Sequence, residues 1–217
     1  MIDLHTHSLL SDGDLLPSEL ARRAEEKGYK ILGITDHIDF SNYENVITSL
    51  IKVADSINTS MKIKVIPGVE ITHVHPSRIP ELVHLARDAG AKLIVVHGET
   101  VVEPVLEGTN RAAIESGVDI LAHPGVLKEE DAEFAAERRI VLEISARYGH
   151  SFSNGHIARL WYKYGFPIVL NTDTHSPENL IDDALARILL ISAGIKEEDV
   201  EKVFNNSLAI TERLLIR

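Results

Sequence analysis

The sequence predicts an α/β barrel of seven parallel strands, and two observations carry that prediction. Short apolar, β-branched runs alternate with helical patterns from one end of the chain to the other, which implies parallel strands joined by right-handed crossovers. Metal-competent side chains recur where those runs end, on the face where parallel barrels build their sites. An open, doubly wound sheet is the competing topology, because periodicity alone does not separate the two.

The strand candidates are residues 2–5, 31–35, 63–69, 93–97, 120–123, 140–144 and 167–171. Helical patterns fill 17–27, 44–58, 80–89, 103–116, 129–137 and 154–164, and two or three further helices follow Pro177. Pro17 and Pro80 suit a first helical turn, where the missing N–H is not needed. Gly28, Gly90, Gly117 and Gly165 follow helical patterns and are read as C-terminal caps. Seven strands is one short of a (β/α)₈ barrel. No Pro/Ser-rich linker, low-complexity run or internal repeat divides residues 1–217, which are read as one domain.

Composition narrows the function. Lys plus Arg total 22 and Asp plus Glu 33, a formal charge of −11. Such a surface repels a nucleic-acid backbone, whose non-specific affinity comes from Lys and Arg displacing counterions, so a nucleic-acid partner is not expected. A local positive site can still exist inside an acidic protein. No run approaches the roughly 20 apolar residues that span a bilayer, and Met1-Ile2-Asp3-Leu4-His5 has neither the basic nor the apolar part of a signal peptide. The expected location is the cytoplasm. The chain has no cysteine and eleven histidines, so disulfides and thiolate ligands are excluded and the histidine positions decide.

The first strand runs into His5-Thr6-His7 and Ser11-Asp12-Gly13, the second into Thr35-Asp36-His37, and the third into Gly68-Val69-Glu70. The fourth ends at His97, the fifth at His123-Pro124-Gly125, and the seventh at Asp173-Thr174-His175. Side chains two apart on a strand point the same way, so His5 with His7, and Asp173 with His175, can chelate from one strand. Imidazole and carboxylate ligands suit zinc, manganese or iron. Each residue has a bland alternative: a satisfied core histidine, an Asp-Gly turn at Asp12, a polar strand end at Glu70. Those alternatives would have to hold together at six strand ends, and that repetition favours a metal site.

This ordered set resembles the PHP (polymerase and histidinol phosphatase) family, from His5 to His175 with all four of its motif regions in order. The resemblance implies a distorted, TIM-barrel-like (β/α)₇ barrel and three divalent metal ions. One ion would be held by His5, His7, Glu70 and Asp173. A second would share Glu70 with His97 and His123, and a third would use Asp12, His37 and His175. Asp12 stands where some members have histidine. Three divalent ions less three carboxylates leave a pocket of about +3, suited to phosphate.

The expected function is therefore a metal-dependent phosphatase or phosphodiesterase acting on a small phosphorylated metabolite or nucleotide. A metal-bound hydroxide would be the nucleophile. The alternatives are a PHP-like structural or binding subunit, as in RNase P or polymerase assemblies, and an amidohydrolase-like C–N hydrolase. Arg147 ends the strand without a ligand, where it either grips substrate phosphate or forms a surface ion pair. Glu99, His73, His75, His150 and Asn154 are read as supporting or solvent-facing loop residues. Asp36 is read as orienting a ligand or as a plain loop carboxylate, and His84 and His156 as structural.

Overall fold

β-Branched and aliphatic residues fit a pleated surface buried on both faces, and here they form the strands of one parallel sheet. The computed structural model describes residues 1–216. In chain order the elements are β1 (Ile2–Thr6), α1 (Pro17–Glu26), β2 (Ile31–Ile34), β3 (His37–Ile38), α2 (Tyr43–Ser60) and β4 (Lys64–Ile71). Then come α3 (Ile79–Asp88), β5 (Leu93–His97), α4 (Thr109–Glu115), β6 (Ile120–Ala122), α5 (Glu129–Arg138) and β7 (Val141–Ser145). The chain continues with α6 (Asn154–Tyr164), β8 (Ile168–Asn171), α7 (Asp183–Ser192) and α8 (Val200–Ile216). Gly28, Gly90, Gly117 and Gly165 follow α1, α3, α4 and α6 at positive φ, as helix caps require.

Among the described residues the strand order is β1-β2-β4-β5-β6-β7-β8, with β3 also paired to β4. Ile31 pairs with Lys64 and His37 with Glu70; 64 − 31 and 70 − 37 both equal 33. β2 and β3 are thus one strand position, broken at Thr35-Asp36, and the sheet has the seven positions expected. The edges β1 and β8 meet through a Thr6–Thr174 bridge, where the His7 N–H donates to the Thr174 carbonyl at 2.8 Å. Side chains complete that seam: the Leu4 N–H donates to Asn171 Oδ1 at 2.9 Å and Thr172 Oγ1 to Asp3 Oδ2 at 2.5 Å. The nearly closed barrel places every strand's C-terminal end on one face.

The barrel interior is a separate apolar cluster that includes Leu4, Ile66, Leu93, Val95, Ile120, Val141 and Val169. Ile210 and Leu214 of α8 belong to it, so the last helix covers the end of the barrel opposite the strand C-termini. Gly33 lets β1 and β2 approach, since a Cβ there would lie 2.9 Å from the Leu4 Cα. No helix among the described residues is long and apolar enough to cross a membrane.

One helix starts later than its pattern suggests. Residues 103–116 read as helical, yet α4 begins at Thr109. Gly108 in the left-handed region (φ 94°) breaks the run. Glu99 Oε1 accepts the N–H groups of Gly108 and Asn110, fixing the helix start there. Residues 101–108 are released as a loop beside the strand ends.

Candidate metal centre

Strict alternation would put Leu4 and His5 on opposite faces, but the register of β1 is irregular between Asp3 and Thr6, so Leu4 packs in the barrel interior while His5 and His7 both reach the donor cluster at the C-terminal face. There the nine side chains singled out by the sequence come together. His5 Nε2 lies 3.3 Å from Glu70 Oε1 and 3.7 Å from Asp173 Oδ1. His7 Nε2 lies 3.6 Å from Glu70 Oε2 and 3.2 Å from Asp173 Oδ1. Asp12 Oδ1 sits 3.5 Å from His37 Nε2 and 3.2 Å from His175 Nε2, with His7 joining that group. His123 Nε2 is 3.4 Å from Glu70 Oε1. His97 is paired differently from the expected grouping: the carboxylate at its Nε2 is Glu103, at 3.1 Å, and its neighbours as a donor cluster are His123 and His150.

The second ring nitrogens explain why these imidazoles face inward. His5 Nδ1 lies 2.8 Å from Glu143 Oε2, His37 Nδ1 2.6 Å from Thr72 Oγ1, and His150 Nδ1 2.7 Å from Thr100 Oγ1. His97 Nδ1 faces the carbonyl of Gly98 (3.1 Å), while His175 Nδ1 lies 3.0 Å from the Asp173 carbonyl and 2.6 Å from Arg147 Nη1, which can only donate to it. Where Nδ1 donates, holding it in this way fixes the ring and leaves the Nε2 lone pair for a ligand role. Asp36 accepts from the Ser8 N–H, Ser8 Oγ and Ser11 Oγ, and so anchors the turn that carries Asp12.

Several donor atoms at the floor make no hydrogen bond among the described residues, although Glu70 Oε2 lies 2.8 Å from His37 Nδ1. His5 Nε2, both nitrogens of His7 and both oxygens of Glu70 are buried without a hydrogen-bond partner among the described residues. Leaving a buried polar group unsatisfied costs about 1–3 kcal/mol, so this concentration is unfavourable unless cations bind there. Burial alone would push Glu70 up, but the neighbouring His5 and His37 hold its carboxyl well below the usual range. Burial opposes Asp12 ionisation too, and His175 and His37 outweigh it. Burial pulls His7 down to about 3, keeping it neutral. Ionised carboxylates beside imidazoles, which a metal ion binds in their neutral form by displacing any proton they hold, are the donor set that divalent zinc, manganese or iron takes, so these residues fit a metal cluster.

Backbone strain falls at the same place. Among the described residues, four non-glycine residues have positive φ, and three of them, His73, His123 and Asp173, line this cavity. Such conformations cost on the order of 1–3 kcal/mol each and cluster at functional sites. Gly125 serves the same construction, because a Cβ there would overlap the Glu99 carbonyl.

The cavity measures about 240 Å³ and is lined by Thr72, Glu103, Arg147 and His150 besides the residues above. That is smaller than the roughly 300–1,000 Å³ typical of drug-sized ligands. Arg147 stands at its lip with Nε 3.6 Å from Asp173 Oδ2, while Nη1 donates to the Asp173 carbonyl at 3.1 Å. Both readings of Arg147 thus have a physical basis: it is ion-paired and it faces the cavity. Glu99 caps α4, His75 caps a 3₁₀ turn, and Asn154 clasps the end of β7 through Ser145. His84 is exposed beside Asp88, and His156 faces the Leu127 carbonyl.

Sequence reasoning passed over three groups here. His150 is buried and lines the cavity rather than facing solvent. Glu103, absorbed into a helical pattern, extends from the 101–108 loop over the cavity. Glu143 lies on the strand read as supplying no metal ligand, and its carboxylate orients His5.

Comparison with known proteins agrees with this construction. An uncharacterized protein of Methanocaldococcus jannaschii is 46% identical over 201 residues, covering 92% of each chain. The Bacillus subtilis DNA polymerase/3′-5′ exonuclease PolX is 27% identical over 83% of this chain, which spans only 35% of that relative. In three dimensions the chain resembles a chain of archaeal ribonuclease P solved with mature tRNA: TM-score 0.76, 19% identity, 99% of this chain and 91% of that one. It also resembles the Lactococcus lactis histidinol phosphate phosphatase complexed with zinc, L-histidinol and phosphate: TM-score 0.62, 19% identity, 90% and 94% coverage. The PHP-domain family profile matches residues 3–163, from the seam aspartate through α6, and on that match the chain belongs to the PHP-domain family.

Proposed function

We propose that this chain is a metal-dependent hydrolase of phosphoesters. The observation that carries the reading is the convergence of nine histidine and carboxylate side chains, among which His5 Nε2, both His7 nitrogens and both Glu70 oxygens are buried without a hydrogen-bond partner among the described residues. The phosphatase with a similar fold, complexed with zinc and phosphate, supports the same chemistry. His5, His7, Glu70 and Asp173 would hold one ion, His97 and His123 a second within reach of Glu70, and Asp12, His37 and His175 a third. Bound divalent ions supply Lewis acidity and bring the pKa of water from about 15.7 to about 7.

The chain's own groups do the rest. Arg147 would grip a phosphoryl oxygen from the lip, because its planar fork matches phosphate geometry. Asp173 and His123 hold their positions through strained backbone, so the donors are placed before substrate arrives. The small cavity admits the phosphoryl group and leaves most of the leaving group at the rim. Small phosphorylated metabolites and nucleotides both satisfy that requirement.

The likeness to a ribonuclease P chain favours one other reading, a subunit of an RNA-processing assembly. The formal charge of −11 weighs against it, as does the full set of metal-competent residues. A panel of phosphomonoesters, phosphodiesters and amides, run on metal-quantified protein, decides. Turnover of a phosphoester that is lost on chelation and restored by zinc or manganese is expected. RNA binding with no turnover of any ester or amide would favour the subunit instead.

A further inference from the structure

The resemblance that names nine ligands leaves out two groups that face the same cavity, His150 and Glu103. His150 is 4% exposed. Thr100 Oγ1 holds its Nδ1 at 2.7 Å, and its Nε2 makes no hydrogen bond among the described residues. That nitrogen faces Glu103 Oε1 at 3.5 Å and Asp173 Oδ2 at 3.6 Å. The other Glu103 oxygen, Oε2, is 3.1 Å from His97 Nε2 and 3.5 Å from His73 Nε2. His97, His123 and His150 each present a donor atom within 4.8 Å of the others.

These spacings have a simple source. Four donors around a tetrahedral ion, with bonds of about 2.0–2.1 Å, stand about 3.3–3.4 Å from one another. The Glu103 contacts with His97 and His150, one from each carboxylate oxygen, lie on either side of that value at 3.1 and 3.5 Å. The geometry points to a zinc site in which His150 and Glu103 complete the shell of the ion held by His97 and His123. Three imidazoles whose donors converge within 4.8 Å, with a carboxylate beside two of them, suit zinc, whereas manganese takes more oxygen ligands. His97, Thr100 and Glu103 all come from the end of β5 and the loop after it, so one segment supplies two ligands and the group that aims a third.

This inference rests on the metal-centre reading above, and the experiment separates the two. Metal-stripped full-length protein is titrated with zinc against a chromogenic chelator, for wild type, Glu103→Gln and His150→Gln. The expected result is that one zinc equivalent weakens at least about tenfold in each variant, the loss typical of disturbing a metal's surroundings. The remaining equivalents keep their affinity. Cobalt-loaded protein gives a second readout, because losing a ligand from a tetrahedral shell changes the intensity of its visible absorption. Circular dichroism of the metal-free variants checks the fold; Glu103 lies on a surface loop, so Glu103→Gln decides alone if His150→Gln does not fold. Zinc affinities and cobalt spectra equal to wild type would overturn the assignment while leaving the metal centre standing. A wild type that binds no zinc would overturn both.

Discussion

Glu143 offers the sharpest test of how the site is held, because it touches no reacting group. Its Oε2 lies 2.8 Å from His5 Nδ1 and accepts from Asn171 Nδ2 at 2.9 Å, while its Oε1 is buried without a partner among the described residues. In Glu143→Gln the amide oxygen can keep both contacts at the Oε2 position, so the shape of the site is preserved. The charge on the acceptor is lost, and the amide nitrogen falls where no acceptor waits. A hydrogen bond to a charged group is worth about 1.5–3 kcal/mol against about 1 kcal/mol for a neutral one. The difference, roughly 0.5–2 kcal/mol, corresponds to about 2- to 30-fold in metal affinity at 1.4 kcal/mol per factor of ten. Competition titration should therefore show one metal equivalent weakened within that range and the others unchanged. Affinities indistinguishable from wild type for every equivalent would refute the idea that Glu143 tunes the His5 imidazole.

Other perturbations read different parts of the structure. If Arg147 grips phosphate with a charge-assisted bond of about 1.5–3 kcal/mol, Arg147→Ala lowers kcat/KM by about 10- to 150-fold with metal content unchanged, and unaltered kinetics would return it to a plain ion pair. In the metal-free protein Glu143 and Glu70 outweigh burial and raise His5, and Glu70 outweighs burial to raise His37 to about 10. Both groups hold protons at pH 7 and lose them only as pH rises, so a metal must displace them: affinity should climb with pH, and calorimetry in two buffers should reveal proton release. Ile210→Ala opens a void in the barrel interior and should cost about 2–5 kcal/mol of stability, seen as a lower Tm, without changing metal stoichiometry.

The strand-end ligands were legible because their signal is local. Two-residue spacing on β1, and again at Asp173 and His175, is visible without any knowledge of the fold. Seven strand positions were legible for the same reason, although the break at Thr35-Asp36 was not, since it depends on Asp36 turning aside to bind Ser8 and Ser11. Glu143 was within reach. Val141 belongs to the barrel-interior cluster, and two residues further along the same strand a carboxylate must point the same way. A lone charge on an inward strand position calls for a partner, and His5 is that partner.

Glu103 and His150 show a different limit. An acidic residue ahead of a helical pattern looks like a favourable first turn, and only Pro104 with Gly108 hints that the helix has not yet begun. His150 carries no spacing signal at all. Its distance from His123 along the chain is set by α5, β7 and the 3₁₀ turn His150–Ser153, and its direction by Thr100 on another loop. Local pattern finds ligands that a single strand presents, whereas ligands that loops deliver depend on the closed barrel bringing neighbouring strand ends together. A site built from both kinds looks smaller in sequence than in structure, because Glu103 and His150 reach the cavity from loops rather than from strand ends.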